Sequence, residues 1–147
     1  FLRCGRSVSS TGVPAWETQL SDQPQSANDP IGAAWDIQMH AARMGFDWPE
    51  ISPVFEKIHE EIGEIKAALS EQRPDHARRE LGDLLFAVVN LSRFLNADPG
   101  RELTHASQRF LERFAKMKKE LERAGRAIED CSLEEMDQAW NRVKAAE

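Results

Sequence analysis

From Ile31 onward, apolar residues recur three or four positions apart, and short polar breaks divide the pattern into five segments. Residues 31–44 read as a first, short helix that stops near Gly45. Ser52-Pro53 reads as a start, with Ser52 as the cap and proline at the first helical position, and the second helix runs to about residue 71. Arg73-Pro74-Asp75 marks the turn into a third helix over about 75–96, which Asp98-Pro99-Gly100 ends. A fourth covers roughly 101–124, before Gly125. Ser132 and Glu135 form a capping-box pattern that opens a fifth. No stretch alternates as a strand does and nothing repeats, so the pattern predicts an all-α fold, a helical bundle with short antiparallel connections. Residues 1–30 are rich in Ser, Pro, Gln, Asp and Gly and hold no sustained period. They read as a flexible tail or linker ahead of one helical domain over 31–147.

Drawn at about 100° per residue, the second helix gathers Val54, Ile58, Ile62, Ile65 and Leu69 into a core stripe. Lys57, Glu61 and Glu64 share one flank of that stripe, whereas Glu56, His59 and Glu60 fall on or near the wet side. The third helix contains LGDLLFAVVNLSRFL, which is apolar almost all round, as in a buried helix. Glu80, Asp83 and Asn90 run through it as a narrow polar stripe. A charge in such surroundings costs on the order of several kcal/mol unless it is paired or binds a cation, and two acids on one stripe repel each other as well.

Counted from a turn near residue 73, Glu61 and Glu64 lie about as far back as Glu80 and Asp83 lie forward. At ~1.5 Å per residue all four stand roughly 10–18 Å from the hairpin end, and antiparallel packing makes them level. Four hard oxygen donors at one place suit Mg²⁺ or Mn²⁺. Phe86 and Trp48 read as core. On the fourth helix, Phe110, Phe114, Met117 and Leu121 form a core stripe flanked by Arg109, Arg113 and Lys116.

Composition narrows the classes. A chain of 147 residues, 41% hydrophobic and 30% charged, fits a soluble domain with a core. The net charge of −6 argues against a broad nucleic-acid surface, which needs clustered Lys and Arg, yet leaves room for one nucleotide in a local basic pocket. Cys4 and Cys131 are too few and too far apart to indicate a disulfide framework or a cysteine zinc site. No apolar run reaches the ~20 residues of a membrane span. FLRCGRSVSS has no long apolar core of a signal peptide, so a cytoplasmic setting is expected. Two Glu-x-x-His pairs, Glu56/His59 and Glu102/His105, raise a di-iron bundle as a rival. The first falls on the wet side, however, and the second in the opening turn of the fourth helix.

The carboxylate pattern resembles that of the MazG family of nucleoside triphosphate pyrophosphohydrolases, E-E-x-x-E followed by E-x-x-D. It stands here as EEIGE at 60–64 and ELGD at 80–83, with fifteen residues between. GFDWP at 45–49, LGDLLFAVVNLSRFL at 81–95, ASQRFLERF at 106–114 and EEMDQAWNRVK at 134–144 extend the likeness to about residues 31–145, and to the C-terminal half of two-domain members. Such members carry two signatures and this chain carries one. The resemblance implies hydrolysis of NTPs or dNTPs to the monophosphate and pyrophosphate, with Mg²⁺ held by Glu61, Glu64, Glu80 and Asp83 as the catalytic set.

In the same likeness, Arg109 and Arg113 contact phosphate, Trp140 and Lys144 serve the nucleotide, and the enzyme is a homodimer or larger whose sites draw on both subunits. Lys57 on the metal-facing flank and Asn90 on the acidic stripe complete the expected substrate contacts. Glu61 or Glu64 would orient the attacking water. A relative with a narrower substrate, such as dUTP or dCTP, and a catalytically silent dimerisation module are the alternatives.

Overall fold

The computed structural model describes residues 29–147, so the tail expected at the start falls outside the described residues except for its last two. Those two already belong to the first helix. Asp29 caps it by accepting a 2.8 Å hydrogen bond from the Gly32 amide, and Pro30 opens it. Five α-helices follow: α1 Pro30–Arg43, α2 Ser52–Ser70, α3 Pro74–Phe94, α4 Pro99–Arg123 and α5 Leu133–Ala145. A single 3₁₀ turn, Ile128–Asp130, precedes α5, and no strand occurs among the described residues. None of their helices is long and apolar enough to cross a membrane.

Helices α1 to α4 end alike. The residue after each C-cap adopts a left-handed backbone: Gly45 (φ 89°), Gln72 (φ 55°), Asn96 (φ 51°) and Gly125 (φ 74°). In each case the next amide reaches back to close the last turn, as Arg73 N–H does to the Ala68 carbonyl at 2.8 Å and Ala97 N–H to Ser92 at 3.0 Å. The turn between α2 and α3 therefore lies at 71–73, about one residue earlier than the expected centre near residue 73. Pro74 is the first residue of α3 rather than part of the turn. Ser52, expected as a cap, sits inside the first turn of α2, and Ile51 precedes it without any side-chain cap. The expected capping box at Ser132 and Glu135 is present in both directions.

The described residues divide into two compact units, one ending at Pro99 and the other Gly100–Glu147. In the first, α2 and α3 form the most extensive helix pair and α1 packs on α3. The buried positions are small: Val54 and Ala68 from α2, and Ala77, Ala87 and Val89 from α3. Small side chains let two helix backbones approach closely, which sets the distance between whatever polar groups flank the seam. The carboxylate of Glu61 joins this seam, while Leu69, expected in the core stripe, is 60% exposed at the hairpin end. Nor is α3 buried all round: Leu81, Leu85 and Val88 are exposed. Within this unit α3 has helices beside only part of its circumference, so an apolar sequence on every side outruns the neighbours available.

In the second unit, Met117 and Leu121 of α4 pack with Ala139 and Val143 of α5, bordered by Ile128, Cys131, Met136 and Trp140. Phe110 and Phe114, expected in the same stripe, are half-exposed; their rings stack at 6.1 Å.

Candidate active site

The hairpin brings three of the four expected carboxylates together. Glu61, Glu64 and Glu80 bring one carboxylate oxygen each to within 4.8 Å of one another. They are the one group of three or more potential metal-ligating side chains found among the described residues. Asp83, one turn on from Glu80, lines the same cavity but contributes no oxygen to that close set. Of the Glu-x-x-His pairs, His59 meets its own helix at the Phe55 carbonyl, and Glu102 and His105 face each other at 3.9 Å within the second unit.

Each acid stands in a different environment. Glu61 is 2% exposed; Lys57 Nζ contacts its Oε1, while its buried Oε2 has no hydrogen-bond partner. Lys57 also donates to Glu60 at 3.1 Å, so Glu60 stays on the wet side as expected but shares a cation with Glu61. The carboxylates of Glu61 and then Glu60 hold the Lys57 ammonium well above the ordinary lysine value. Burial, a hydrogen bond to Glu64 and the charges of Glu64 and Asp83 all push the Glu80 carboxyl above its ordinary value; His76, 3.0 Å away, pulls the other way. Carboxylates this close resist simultaneous ionisation unless a cation joins them.

These groups form one wall of a cavity of about 670 Å³. Ile37, Phe46, Trp48 and Phe86 supply apolar and aromatic lining, and Gln38 and Asn90 supply amides. Gln38 Nε2 donates to the Phe86 main-chain carbonyl at 2.8 Å, tying α1 to α3. Arg93 also lines the cavity but is engaged. It donates to both Asp47 oxygens at 2.6 and 3.0 Å and to Asn90 Oδ1 at 2.9 and 3.1 Å, and its guanidinium lies 5.4 Å from the Phe94 ring centre. This clamp fixes the GFDW segment against α3. It also orients the Asn90 amide, whose Oδ1 is taken and whose Nδ2 is left for a ligand.

The expected site residues thus fall into two sets. Glu61, Glu64, Glu80, Asp83, Lys57 and Asn90 line one cavity of the first unit. Arg109, Arg113, Trp140 and Lys144 belong to the second. There Arg113 pairs with Glu147 at 2.7 Å, and Trp140 lies half-buried with its ring 5.2 Å from Phe110. Arg109 and Lys144 are exposed.

Trp48 and Phe86 correct the core expectation, since they are 40% and 44% exposed and line the cavity. Gln38, Asp47, His76 and Arg93 were not anticipated. Gln38, flanked by Ile37 and Met39, carries the same signal that singled out Asn90, a polar residue within an apolar run.

Fold and cavity together define a class: an all-α protein whose helical hairpin presents clustered carboxylates to a half-open, partly aromatic cavity. Comparison with known proteins places it further. Residues 51–121 match the MazG nucleotide pyrophosphohydrolase domain, and the chain carries a domain of that family. It is 43% identical over 117 residues to the nucleoside triphosphate pyrophosphohydrolase/pyrophosphatase MazG of Thermotoga maritima, covering 80% of this chain and 45% of that protein. It is 35% identical over 135 residues to a nucleoside triphosphate pyrophosphohydrolase of Escherichia coli, covering 90% of this chain and 51% of the relative. A further match, 38% over 79 residues, is to YabN of Bacillus subtilis, of which it spans 16%. The chain spans about half the length of the first two relatives.

Proposed function

We propose that this domain hydrolyses nucleoside triphosphates, as NTPs or dNTPs, to the monophosphate and pyrophosphate, with Mg²⁺ or Mn²⁺ as cofactor in a cytoplasmic setting. The observation that carries the proposal is the convergence of Glu61, Glu64 and Glu80 within 4.8 Å on one wall of a nucleotide-sized cavity. The names of its relatives point the same way.

The residues fit a divalent ion. All three are hard oxygen donors, and the buried, unpartnered Oε2 of Glu61 is an acceptor that a cation would satisfy. Glu61, Glu64 and Glu80 would hold the ion, with Asp83 completing the anionic wall. When bound, the ion offsets polyphosphate charge, polarises the α-phosphoryl group and lowers the pKa of an attacking water.

The chain's own groups do the rest. Acids alone repel a triphosphate, so Lys57 on the acidic wall supplies the cation that meets phosphate oxygens. Asn90 Nδ2, pre-oriented by Arg93, donates to the sugar or a phosphate. Trp48 and Phe86 present apolar ring surface suited to a base. Arg109, Arg113, Trp140 and Lys144 of the second unit remain proposed substrate contacts. Assembly at least as a homodimer belongs to the same proposal, supported by the exposed Leu81, Leu85 and Val88, whose spacing of four and three repeats on one face of α3.

The test is a panel of NTPs and dNTPs incubated with protein and Mg²⁺, with monophosphate and pyrophosphate quantified separately. Equimolar monophosphate and pyrophosphate, abolished by chelator, is expected. Turnover that ignores the chelator would refute the cofactor, and no turnover on any member would refute the activity.

A further inference from the structure

We propose that His76 is a positioning residue: it holds the Glu80 carboxylate in place for the cation and does not itself touch substrate. This rests on the metal-site reading above and adds a residue to it.

His76 lies one helical turn before Glu80, with its Nδ1 3.0 Å from Glu80 Oε1. A carboxylate only accepts, so Nδ1 must carry the proton and donate. His76 is absent from the cavity lining, whereas Glu80 is part of it. The imidazole therefore acts on the cavity only through Glu80. That matters because Glu80 is the one member of the cluster contributed by α3, while Glu61 and Glu64 share α2. The third oxygen of the set depends on how the Glu80 side chain is turned, and glutamate has three torsions to turn about. Glu64, which also bonds Glu80, is itself an acid that repels it once both are ionised. His76 is thus the donor that can retain Glu80 in the cluster when the carboxylates are charged.

The other anchored acid makes the contrast. Glu61 is held by an ammonium, which must share the carboxylate's charge with any incoming cation. Glu80 is held instead by a directed ring N–H, with Nδ1 3.0 Å from its Oε1. Hydrogen-bond partners behind metal ligands typically change metal affinity or activity by about 10–100-fold when removed.

The experiment titrates Mn²⁺ into nucleotide-free protein by calorimetry, comparing wild type with His76→Leu and His76→Asn. Asparagine keeps an N–H donor at about the height of Nδ1; leucine keeps bulk and loses the donor. His76→Leu is expected to bind Mn²⁺ about tenfold or more weakly. His76→Asn should recover most of that affinity, and KM for nucleotide at saturating metal should stay within about twofold in both. Equal Mn²⁺ affinity in wild type and His76→Leu would overturn the proposal. So would a His76→Asn protein that melts normally yet binds Mn²⁺ no better than His76→Leu, since the role would then be packing. A wild type that binds no Mn²⁺ would overturn the metal site and this inference together. One that binds Mn²⁺ but releases no pyrophosphate would sink only the proposed reaction, and the titration would still decide His76.

Discussion

Replacing Glu61 with glutamine separates the metal role of this side chain from its packing. The two residues have nearly the same shape, and Glu61 is 2% exposed at the α2–α3 seam, so the amide refills the same space. In metal-free protein two changes oppose each other. The contact with Lys57 loses its charge, a small effect because the lysine is 38% exposed and such pairs contribute about 1 kcal/mol or less. Against that, the substitution removes a buried carboxylate oxygen that has no partner. The metal-free melting temperature should therefore move by no more than about 3 °C.

With Mg²⁺ the two proteins should part. At a concentration about 100 times the wild-type Kd, binding stabilises the fold by roughly 2.7 kcal/mol. For a chain of 147 residues, unfolding entropy of about 2.1 cal/mol/K per residue turns each kcal/mol into about 3 °C, so wild type should gain about 8 °C. Loss of an anionic ligand that weakens binding about 100-fold leaves the metal near its Kd, worth about 0.4 kcal/mol, and the gain falls to about 1 °C. The assay is a thermal melt of both proteins in chelator and in Mg²⁺, with Glu60→Gln as the control expected to keep nearly the full gain. The same Mg²⁺ gain in Glu61→Gln as in wild type would remove Glu61 from the site.

Glu80→Gln tests the acidic cluster by pH. The Glu80 carboxyl is raised above 4.5 in the fold, first by burial and then by Glu64, so its ionised form disfavours the folded state above that raised value. Without metal, the variant should melt higher than wild type at neutral pH, and the gap should close as pH falls toward 4.5; a constant gap would contradict it. Asp47→Asn should lower stability by about 1–2 kcal/mol, because Arg93 loses one of its two Asp47 acceptor oxygens and the carboxylate charge behind the other. Asp47 is depressed below its ordinary 3.8, mainly by Arg93, so that contribution is present above 3.8 and is lost as pH falls through the depressed value. Melts of the two proteins converging in strong acid are expected, and a difference that persists there would argue for packing. Ala68→Leu, at a fully buried seam position, should cost about 1–3 kcal/mol by overpacking and also weaken Mg²⁺ binding by parting α2 from α3. A stability loss with unchanged metal affinity would separate the seam from the site.

Much of the site was legible because its signal was a contradiction. Glu80, Asp83 and Asn90 stand in an apolar run, and hairpin arithmetic is insensitive to an error of one or two residues in the turn. The turn lies at 71–73, about one residue before the expected centre near 73, yet Glu61, Glu64 and Glu80 still meet. Helix stops at Gly45 and Gly125 were visible because glycine adopts a left-handed backbone readily. Gln72 and Asn96 do the same job with side chains that favour it less, and a single sequence does not mark them as caps. Trp48, in the segment between α1 and α2, and Phe86, in the helical pattern of α3, read as core because an aromatic residue looks the same in the sequence whether it faces a core or a cavity. Arg93 and Asp47 escaped notice because 46 residues separate them, and only the packing of α1 and its following loop on α3 makes them a pair.

The central claim is that water attacks the α-phosphorus of a nucleoside triphosphate at the carboxylate cavity. It is tested most directly by running the Mg²⁺-dependent reaction in water enriched in heavy oxygen and locating the label by mass spectrometry. The heavy atom is predicted in the nucleoside monophosphate, with unlabelled pyrophosphate as the first other product. Label in the pyrophosphate, or orthophosphate released first in the absence of any contaminating pyrophosphatase, would contradict it.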